Sequence, residues 1–284
     1  DHGIEGILAG QLIDLERTSS SEWSRISRTP GAALGSTRRK LRPEDLPVLT
    51  ETLARHSVGC LFIIGGNDSA ETGLTLAVES RARGQDLSVI LIPKTIDNDL
   101  VETDHSPGYG SAARFVALAT MGAGRDAEAM GRAAPITIIE VMGRDSGWLA
   151  ASSALARKDD RDAPHVVCVP EVPVVEEDFL ARIEEAYSRY GFAVAVIAEN
   201  ARGPKGVLGG HEEPWLVDDF GHPYYDGPAR YMAGRVGNRL NVRARYETPG
   251  TIQRSFAAAV SRTDIAEAEL VGRAAVRHTI DGQS

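Results

Sequence analysis

The sequence is poor in cysteine and has no long apolar run. Its only two cysteines, Cys60 and Cys168, both sit inside strand-like apolar segments, so we expect two core thiols and no disulfide framework. No apolar run approaches the length of a membrane span and no signal peptide is visible, which predicts a cytoplasmic protein with no membrane partner. Because the chain begins without methionine, we also expect it to be a piece of a longer polypeptide.

Basic residues are in the minority. Lysine and arginine total 31 against 40 aspartate and glutamate residues, which gives a formal net charge of -9. Binding to a nucleic-acid backbone needs a basic footprint, so this balance excludes a nucleic-acid partner. A few converging cations and backbone N–H groups can still bind a phosphate locally.

Several catalytic and metal-binding patterns are missing as well. The seven histidines show no zinc-ligand spacing, and we interpret them as surface or core residues. The sequence has neither a G-x-S-x-G nucleophile elbow nor a Walker A loop. Its chemistry must therefore lie in other clusters.

Short apolar runs alternate with helix-like segments along the chain. The runs are "VGCLFII", "LSVILI", "ITIIEVM" and "FAVAVIA", and each ends abruptly in glycine, proline or a charged residue. This alternation predicts an α/β fold with open, mostly parallel sheets and flanking helices. Ligands bind such sheets at the carboxyl ends of the strands, where the polar clusters fall.

The length of 284 residues predicts two domains or one large α/β unit. Residues 202–230 are rich in glycine, proline and aspartate and show no periodicity. We interpret this stretch as a long surface loop or insertion, because its aromatic residues need somewhere to pack. Those residues are Trp215, Phe220, Tyr224 and Tyr225.

The first polar cluster is "IIGGNDSAETG". Gly65 and Gly66 allow a ligand to approach the backbone closely, and the N–H groups of the following helix can hold an anion. The alternative is simple helix capping, with Asp68 and Glu71 forming a capping box.

The second cluster is "LIPKTIDNDLVETD". Lys94 is a mobile cation suited to phosphate, and Asp97 and Asp99 could divide the roles of general base and metal ligand. The alternative is a solvated acidic turn with aspartates as helix caps. Four acidic residues exceed what capping requires, although capping remains our interpretation of Glu102 and Asp104.

Two further clusters carry arginine. "EVMGRDSGW" places Arg144 at a strand end, where its planar fork suits an anion or a sugar phosphate, or else pairs with a surface acid. "RARYETPGTIQRSF" contains Arg243, Arg245 and Arg254, a net-basic patch in an acidic chain. That local reversal of charge favours a phosphorylated ligand.

In this order, the clusters resemble the phosphofructokinase family. "IIGGNDS" is similar to its phosphate loop, "PKTIDNDL" to its catalytic loop and "TDHSPGYGSAARF" to the segment that follows. "EVMGR" resembles its sugar-phosphate motif, "PGTIQRS" its Gly-x-(Ile/Leu)-Gln-Arg motif and "LGSTR" its Gly-Ser-x-Arg turn. The resemblance runs from about Gly6 to Gly282.

The resemblance implies a fold of two Rossmann-like lobes. Residues 1–130 would form the lobe that binds the phosphoryl donor and carries the catalytic loop. Residues 131–284 would bind fructose 6-phosphate and include the 202–230 insertion, with the chain crossing between lobes near its C-terminus. The family's N-terminal strand, with its Gly-Gly-x-x-Pro-Gly loop, is expected to be missing.

The resemblance also implies transfer of a phosphoryl group to the 1-hydroxyl of fructose 6-phosphate. Asp97 would be the base, assisted by Thr95 and Lys94, and Asp99 would help to hold Mg²⁺. The donor would contact Gly66, Asp68, Ser69, Lys94 and Arg38. The sugar phosphate would contact Thr95, Asp97, Met142, Gly143, Arg144, Glu199, Arg245 and Arg254. Arg245 would reach across a subunit interface, in a homodimer or homotetramer.

Two positions bear on the phosphoryl donor. A carboxylate at Asp68 would occupy and repel the space of an ATP α-phosphate, and Lys94 supplies a cation to a compact donor. Both resemble the diphosphate-dependent pattern, so diphosphate is expected rather than ATP. An ATP-dependent enzyme and a non-catalytic, sugar-phosphate-sensing subunit are the alternatives. Asn67, Thr251 and Pro135 depart from residues that are common in the family.

Overall fold

The four apolar runs all form strands. The structure is a computed structural model that describes residues 1–209, 214, 216–221, 223, 224 and 227–282. Its strands are β1 (Cys60–Gly65), β2 (Ser88–Pro93), β3 (Ile136–Val141), β4 (Val166–Cys168), β5 (Ala193–Ala198), β6 (Arg202–Gly203), β7 (Gly206–Val207), β8 (Leu216–Val217), β9 (Pro223–Tyr224) and β10 (Ala244–Glu247). The helices are α1 (Gly3–Leu8), α2 (Ser20–Ile26), α3 (Asp45–Arg55), α4 (Asn67–Ala82), α5 (Tyr109–Met130), α6 (Trp148–Ser152), α7 (Glu176–Tyr190), α8 (Pro228–Leu240) and α9 (Arg262–Ile280).

The chain folds into two compact units. Unit 1 consists of Asp1–Thr95, Asp218–His222 and Arg262–Ser284, and unit 2 of Ile96–Val217 and Pro223–Ser261. The predicted α/β class with parallel sheets and flanking helices is confirmed. We predict that residues 1–130 bind the phosphoryl donor and that residues 131–284 bind the sugar phosphate. This division stays a prediction.

Unit 2 is built on a four-stranded parallel sheet in the order β10-β3-β5-β4. The two central strands, β3 and β5, are almost wholly buried because helices cover both faces. On one face, Ile136 and Ile138 pack in a cluster with Ile183 of α7 and Met232 of α8. On the other face, the packing partners come from α5 and α6. The carboxyl end of β3 is thereby held rigidly.

In the sheet of unit 1, one face of β1 is packed and the other is partly exposed. Within the described chain, β1 and β2 pair in parallel and only with each other. Leu61 and Ile63 pack in the cluster formed with α3 and α4, whereas Phe62 and Ile64 on the opposite face are 37% and 57% exposed. β1 therefore packs through one face, whereas β3 and β5 are almost wholly buried.

Both cysteines are free thiols. Cys168 is buried in β4, and burial raises the pKa of its thiol to about 12. Cys60 is half-buried, with its Sγ 3.4 Å from Thr279 Oγ1 of α9. The prediction of a core thiol is confirmed for Cys168, while Cys60 is partly exposed.

Among its described residues, the 202–230 stretch forms two short antiparallel pairs, β6 with β7 and β8 with β9. Phe220 lies in unit 1, where the Nζ of Lys40 is 6.0 Å from the centre of its ring. Trp215, Tyr225 and the side chain of Tyr224 fall outside the described residues. Among the helices of the described chain, none is long and apolar enough to cross a membrane. The cytoplasmic location stays a prediction.

Candidate active site

The end of β1 and the end of β2 meet in unit 1. Gly65 closes β1, and a Cβ there would lie 1.9 Å from Ser69 Oγ, so only glycine fits. The Lys94 N–H donates to the Gly65 carbonyl over 3.1 Å. A Cβ on Gly66 would lie 3.5 Å from the Cβ of Thr95. Four predicted site residues, Gly66, Ser69, Lys94 and Thr95, are thus brought together, and we call them the unit 1 cluster.

Helix α4 begins directly behind these glycines. Gly66 occupies the N-cap position, so Asp68 does not. The capping box that we considered for Asp68 and Glu71 is therefore wrong. Asp68 lies instead in the first turn, where the helix dipole favours a carboxylate.

Arg38 also belongs to unit 1. Its Nη1 is 3.6 Å from Oδ2 of Asp218 in the described part of the insertion. Two residues later, Lys40 Nζ lies 3.2 Å from Oε1 of Glu71 on α4, so this segment runs beside the first half of that helix. Its role in donor binding stays a prediction.

The catalytic-loop sequence turns sharply at Asn98. Asn98 is 5% exposed and adopts a left-handed φ of 53°. Its Nδ2 donates to the Asp104 carbonyl over 3.1 Å, and its Oδ1 accepts the Ser106 N–H over 2.8 Å. The loop is thereby held from within, with Asp97 half-buried and Asp99 exposed. The capping expected of Glu102 and Asp104 is wrong, because α5 begins at Tyr109 behind its N-cap, Gly108.

The turn after β3 is organised by one carboxylate. Oε1 of Glu199, which follows β5, accepts the N–H of Gly143 over 3.2 Å and the N–H of Arg144 over 2.9 Å. Gly143 has a φ of 134°, and a Cβ there would lie 2.5 Å from the carbonyl oxygen of Ser146. The Met142 N–H donates to Oε1 of Gln253 over 3.2 Å. The structure therefore brings together four predicted sugar-phosphate residues, which we call the unit 2 cluster: Met142, Gly143, Arg144 and Glu199.

The side chain of Ser146 joins this turn to the catalytic loop. The hydroxyl of Ser146 donates to the carbonyl oxygen of Asp97 over 2.9 Å. The Ser146 N–H donates to the Gly143 carbonyl over 2.9 Å, which closes the turn itself. Asp97 and the unit 2 cluster are consequently parts of one hydrogen-bonded assembly.

The two remaining arginines are placed differently. Arg245 of β10 lies opposite Thr137 near the start of β3, where its guanidinium pairs with Asp126 of α5. Because Met142 follows the other end of β3, this chain does not bring Arg245 to the unit 2 cluster. Arg254 directly follows the 3%-exposed Gln253 and is itself exposed.

Sequence reasoning missed three residues of this assembly. Gln253 and Asn98 lie inside the motifs "PGTIQRS" and "PKTIDNDL". Both are buried, and a buried amide needs hydrogen-bond partners. An amide residue within a motif of this kind is the signal that could have identified them. Ser146 carries no such signal, since its partner is the main chain of a residue 49 positions away.

Glu140 is a further carboxyl beside the unit 2 cluster, and it is half-buried. Its Oε2 accepts the N–H of Ala229 in the first turn of α8 over 3.1 Å. Burial raises the pKa of the Glu140 carboxyl from 4.5 to about 7, the Ala229 N–H opposes this, and the charge of Glu199 raises it further. The Glu140 carboxyl therefore titrates near neutral pH.

This pKa makes folding stability depend on pH. A carboxyl whose folded pKa is raised stabilises the fold below its unfolded pKa, and that contribution is lost as the pH rises through about 7. Between pH 5 and pH 8 we expect the wild type to lose on the order of 3 kcal/mol relative to Glu140→Gln, whose amide oxygen can still accept the Ala229 N–H. Urea midpoints of both proteins measured across this range check it, and parallel curves would contradict it.

Comparisons with known proteins agree over the whole chain. The family model described as Phosphofructokinase matches residues 1–279. The chain is 36% identical over its full length to 69% of the pyrophosphate–fructose 6-phosphate 1-phosphotransferase of Xanthomonas campestris. It is 40% identical, over 81% of its length, to 47% of the ATP-dependent 6-phosphofructokinase of Amycolatopsis methanolica.

A solved structure shows the same fold. The crystal structure of a pyrophosphate-dependent phosphofructokinase from Nitrosospira multiformis superposes with a TM-score of 0.87 at 33% identity, covering 100% of this chain and 67% of that one. The order of the motifs, the strand-end clusters and these matches agree. The chain belongs to the phosphofructokinase family of phosphotransferases.

Proposed function

We propose that this chain transfers a phosphoryl group from inorganic diphosphate to the 1-hydroxyl of fructose 6-phosphate, which gives fructose 1,6-bisphosphate. The choice of diphosphate as donor rests on one observation, that Asp68 and the main chain of Lys94 both lie next to the Gly65–Gly66 turn. Asp68 lies in the first turn of α4, and the main chain of Lys94 is bonded to Gly65. A carboxylate at this helix start disfavours the α-phosphate of a nucleotide, while a neighbouring lysine favours a compact, highly charged donor.

The similar proteins support this choice in part. The relative from Xanthomonas campestris and the structure from Nitrosospira multiformis are named as pyrophosphate-dependent, whereas the relative from Amycolatopsis methanolica is named as ATP-dependent. The ATP-dependent reaction is therefore the second candidate function. The intact Asp97, Asp99 and Arg144 disfavour a non-catalytic, sugar-phosphate-sensing subunit.

Phosphoryl transfer requires little covalent work from a protein, so the residues act by positioning and by charge. In the unit 1 cluster, the N-terminal end of α4, Ser69 and Lys94 would bind the donor. In unit 2, Asp97 would accept the proton of the sugar hydroxyl as that oxygen forms its bond to phosphorus, while the bridging P–O bond of diphosphate breaks and inorganic phosphate leaves. Met142, Gly143 and Arg144 would hold the sugar phosphate, in a turn fixed by Glu199.

Magnesium fits the oxygen donors that the catalytic loop offers. The carboxylate of Asp99 is exposed, and Mg²⁺ typically takes one or two carboxylates together with substrate phosphates and water. Bound there, Mg²⁺ would neutralise charge on the donor phosphates. Oligomeric state and the role of Arg245 across an interface stay predictions.

The donor is tested with the full-length enzyme, fructose 6-phosphate and Mg²⁺ in a coupled assay, with the donor varied. We expect turnover with diphosphate and at least tenfold lower kcat/KM with ATP, because Asp68 repels the nucleotide. Turnover with ATP alone would overturn the choice of donor, and no turnover with either would favour the sensing subunit. Asp68→Gly is expected to improve the use of ATP, and Glu16→Gln, which removes an exposed acidic side chain elsewhere in unit 1, is the control.

A further inference from the structure

The main chain at Asp97 is held from two sides. On one side the Ser146 hydroxyl donates to the Asp97 carbonyl over 2.9 Å. On the other side the buried side chain of Asn98 is bonded to Asp104 and Ser106. The hydroxyl of Ser146, which comes from a different loop, therefore helps to fix the orientation of the peptide between Asp97 and Asn98.

That hydroxyl comes from the turn that follows β3. The turn is fixed at its beginning by Glu199, which accepts the N–H groups of Gly143 and Arg144. It is closed by the Ser146 N–H, which donates to the Gly143 carbonyl. These bonds involve no hydroxyl, so the turn keeps its own hydrogen bonds when only the Ser146 Oγ is removed.

We propose that Ser146 is a positioning residue, whose hydroxyl sets the direction of the Asp97 carboxylate relative to the turn of the unit 2 cluster. The inference rests on the proposed function, in which Asp97 is the base and the unit 2 cluster holds the sugar phosphate. Ser146 is the direct side-chain link between those two parts among the bonds described above. Its effect is on the alignment of the base, since the bond reaches the main chain of Asp97.

Alignment affects the reaction step more than the binding of the sugar. Displacing a catalytic group by a fraction of an ångström lowers the rate while the binding contacts persist. Removing the hydroxyl should therefore lower kcat and leave the KM for fructose 6-phosphate almost unchanged. A residue that served only the packing of the turn would change KM and thermal stability together.

The test compares Ser146→Ala and Ser146→Thr with the wild-type full-length enzyme. We expect Ser146→Ala to lower kcat about tenfold with less than a twofold change in KM, and Ser146→Thr, which retains a hydroxyl, to recover at least a third of the rate. Ser152→Ala is the matched control, because the Ser152 hydroxyl donates to the Leu149 carbonyl within its own helical segment. Its kcat should equal that of the wild type.

Hydrogen exchange gives a readout that does not depend on turnover. Amides of residues 97–106 should exchange several-fold faster in Ser146→Ala, and those of residues 142–144 should remain as protected as in the wild type. A kcat within twofold of the wild type, or unchanged exchange at residues 97–106, would overturn the proposal. If the wild type itself turns over neither donor, the proposed function is wrong and the catalytic role of Ser146 is lost with it. Exchange would still decide whether the hydroxyl holds the loop.

Discussion

Replacing Asp97 by asparagine is expected to lower kcat by about three orders of magnitude and to leave the KM for fructose 6-phosphate within threefold of the wild type. A positioned general base contributes roughly 10²–10⁴ to the rate, and asparagine has the same shape without the basicity. The bond from Ser146 to the Asp97 carbonyl and the bond from Asn98 to the Asp104 carbonyl involve no atom of the Asp97 side chain, so both persist in the variant. Initial-rate kinetics with diphosphate as donor measure both parameters.

Asp104→Asn is the control for this experiment. Asp104 lies in the same loop, and its side chain is exposed, while its main-chain carbonyl accepts from Asn98. The variant therefore removes one negative charge from the loop and keeps that hydrogen bond. Its kcat should stay within twofold of the wild type, whereas an Asp97→Asn enzyme with a tenth of the normal rate would show that another group takes the proton.

The second large effect is expected at Glu199. Truncation to alanine removes the acceptor of two N–H groups, those of Gly143 and Arg144. An unsatisfied buried donor costs about 1–3 kcal/mol, so the turn should loosen and the KM for fructose 6-phosphate should rise about 100-fold. Steady-state kinetics and calorimetric titration with fructose 6-phosphate measure this loss.

Glu199→Gln separates the two functions that this carboxylate could have. Its amide oxygen can accept the same N–H groups, so if the role is to organise the turn, the rise in KM should stay below tenfold. A glutamine variant as impaired as the alanine variant would show that the negative charge itself contacts the sugar. Sugar-phosphate affinity within threefold of the wild type in Glu199→Ala would contradict the role of Glu199 altogether.

The sequence predicted much of this arrangement, since apolar runs mark buried strands and polar clusters mark their carboxyl ends. β3 and β5 lie where the runs predict, and the residues around Gly143 lie at a strand end as expected. The exposure of Phe62 and Ile64 could not be predicted, because an apolar strand looks the same whether one face or both are covered. The start of α4 could not be predicted either. Asp68 and Glu71 match the pattern of a capping box, whereas the helix begins at Asn67, one residue before Asp68.

Contacts between loops that are distant in the sequence could not be predicted for a different reason. Ser146 meets a main-chain carbonyl, which every residue possesses, so no side-chain pattern could point to the pair. Arg245 lies beside Thr137 at the other end of β3, and its predicted role across a subunit interface stays a prediction. The position of Arg245 in the sequence does not show which end of the neighbouring strand β3 it lies beside.

The distribution of the two thiols has a practical consequence. One lies in each compact unit, Cys60 in unit 1 and Cys168 in unit 2. A thiol that is buried and has its pKa raised to about 12 resists alkylation until the structure around it opens. The chain is therefore suited to pulsed alkylation with mass spectrometry, in which modification of Cys168 times the opening of the sheet around β4.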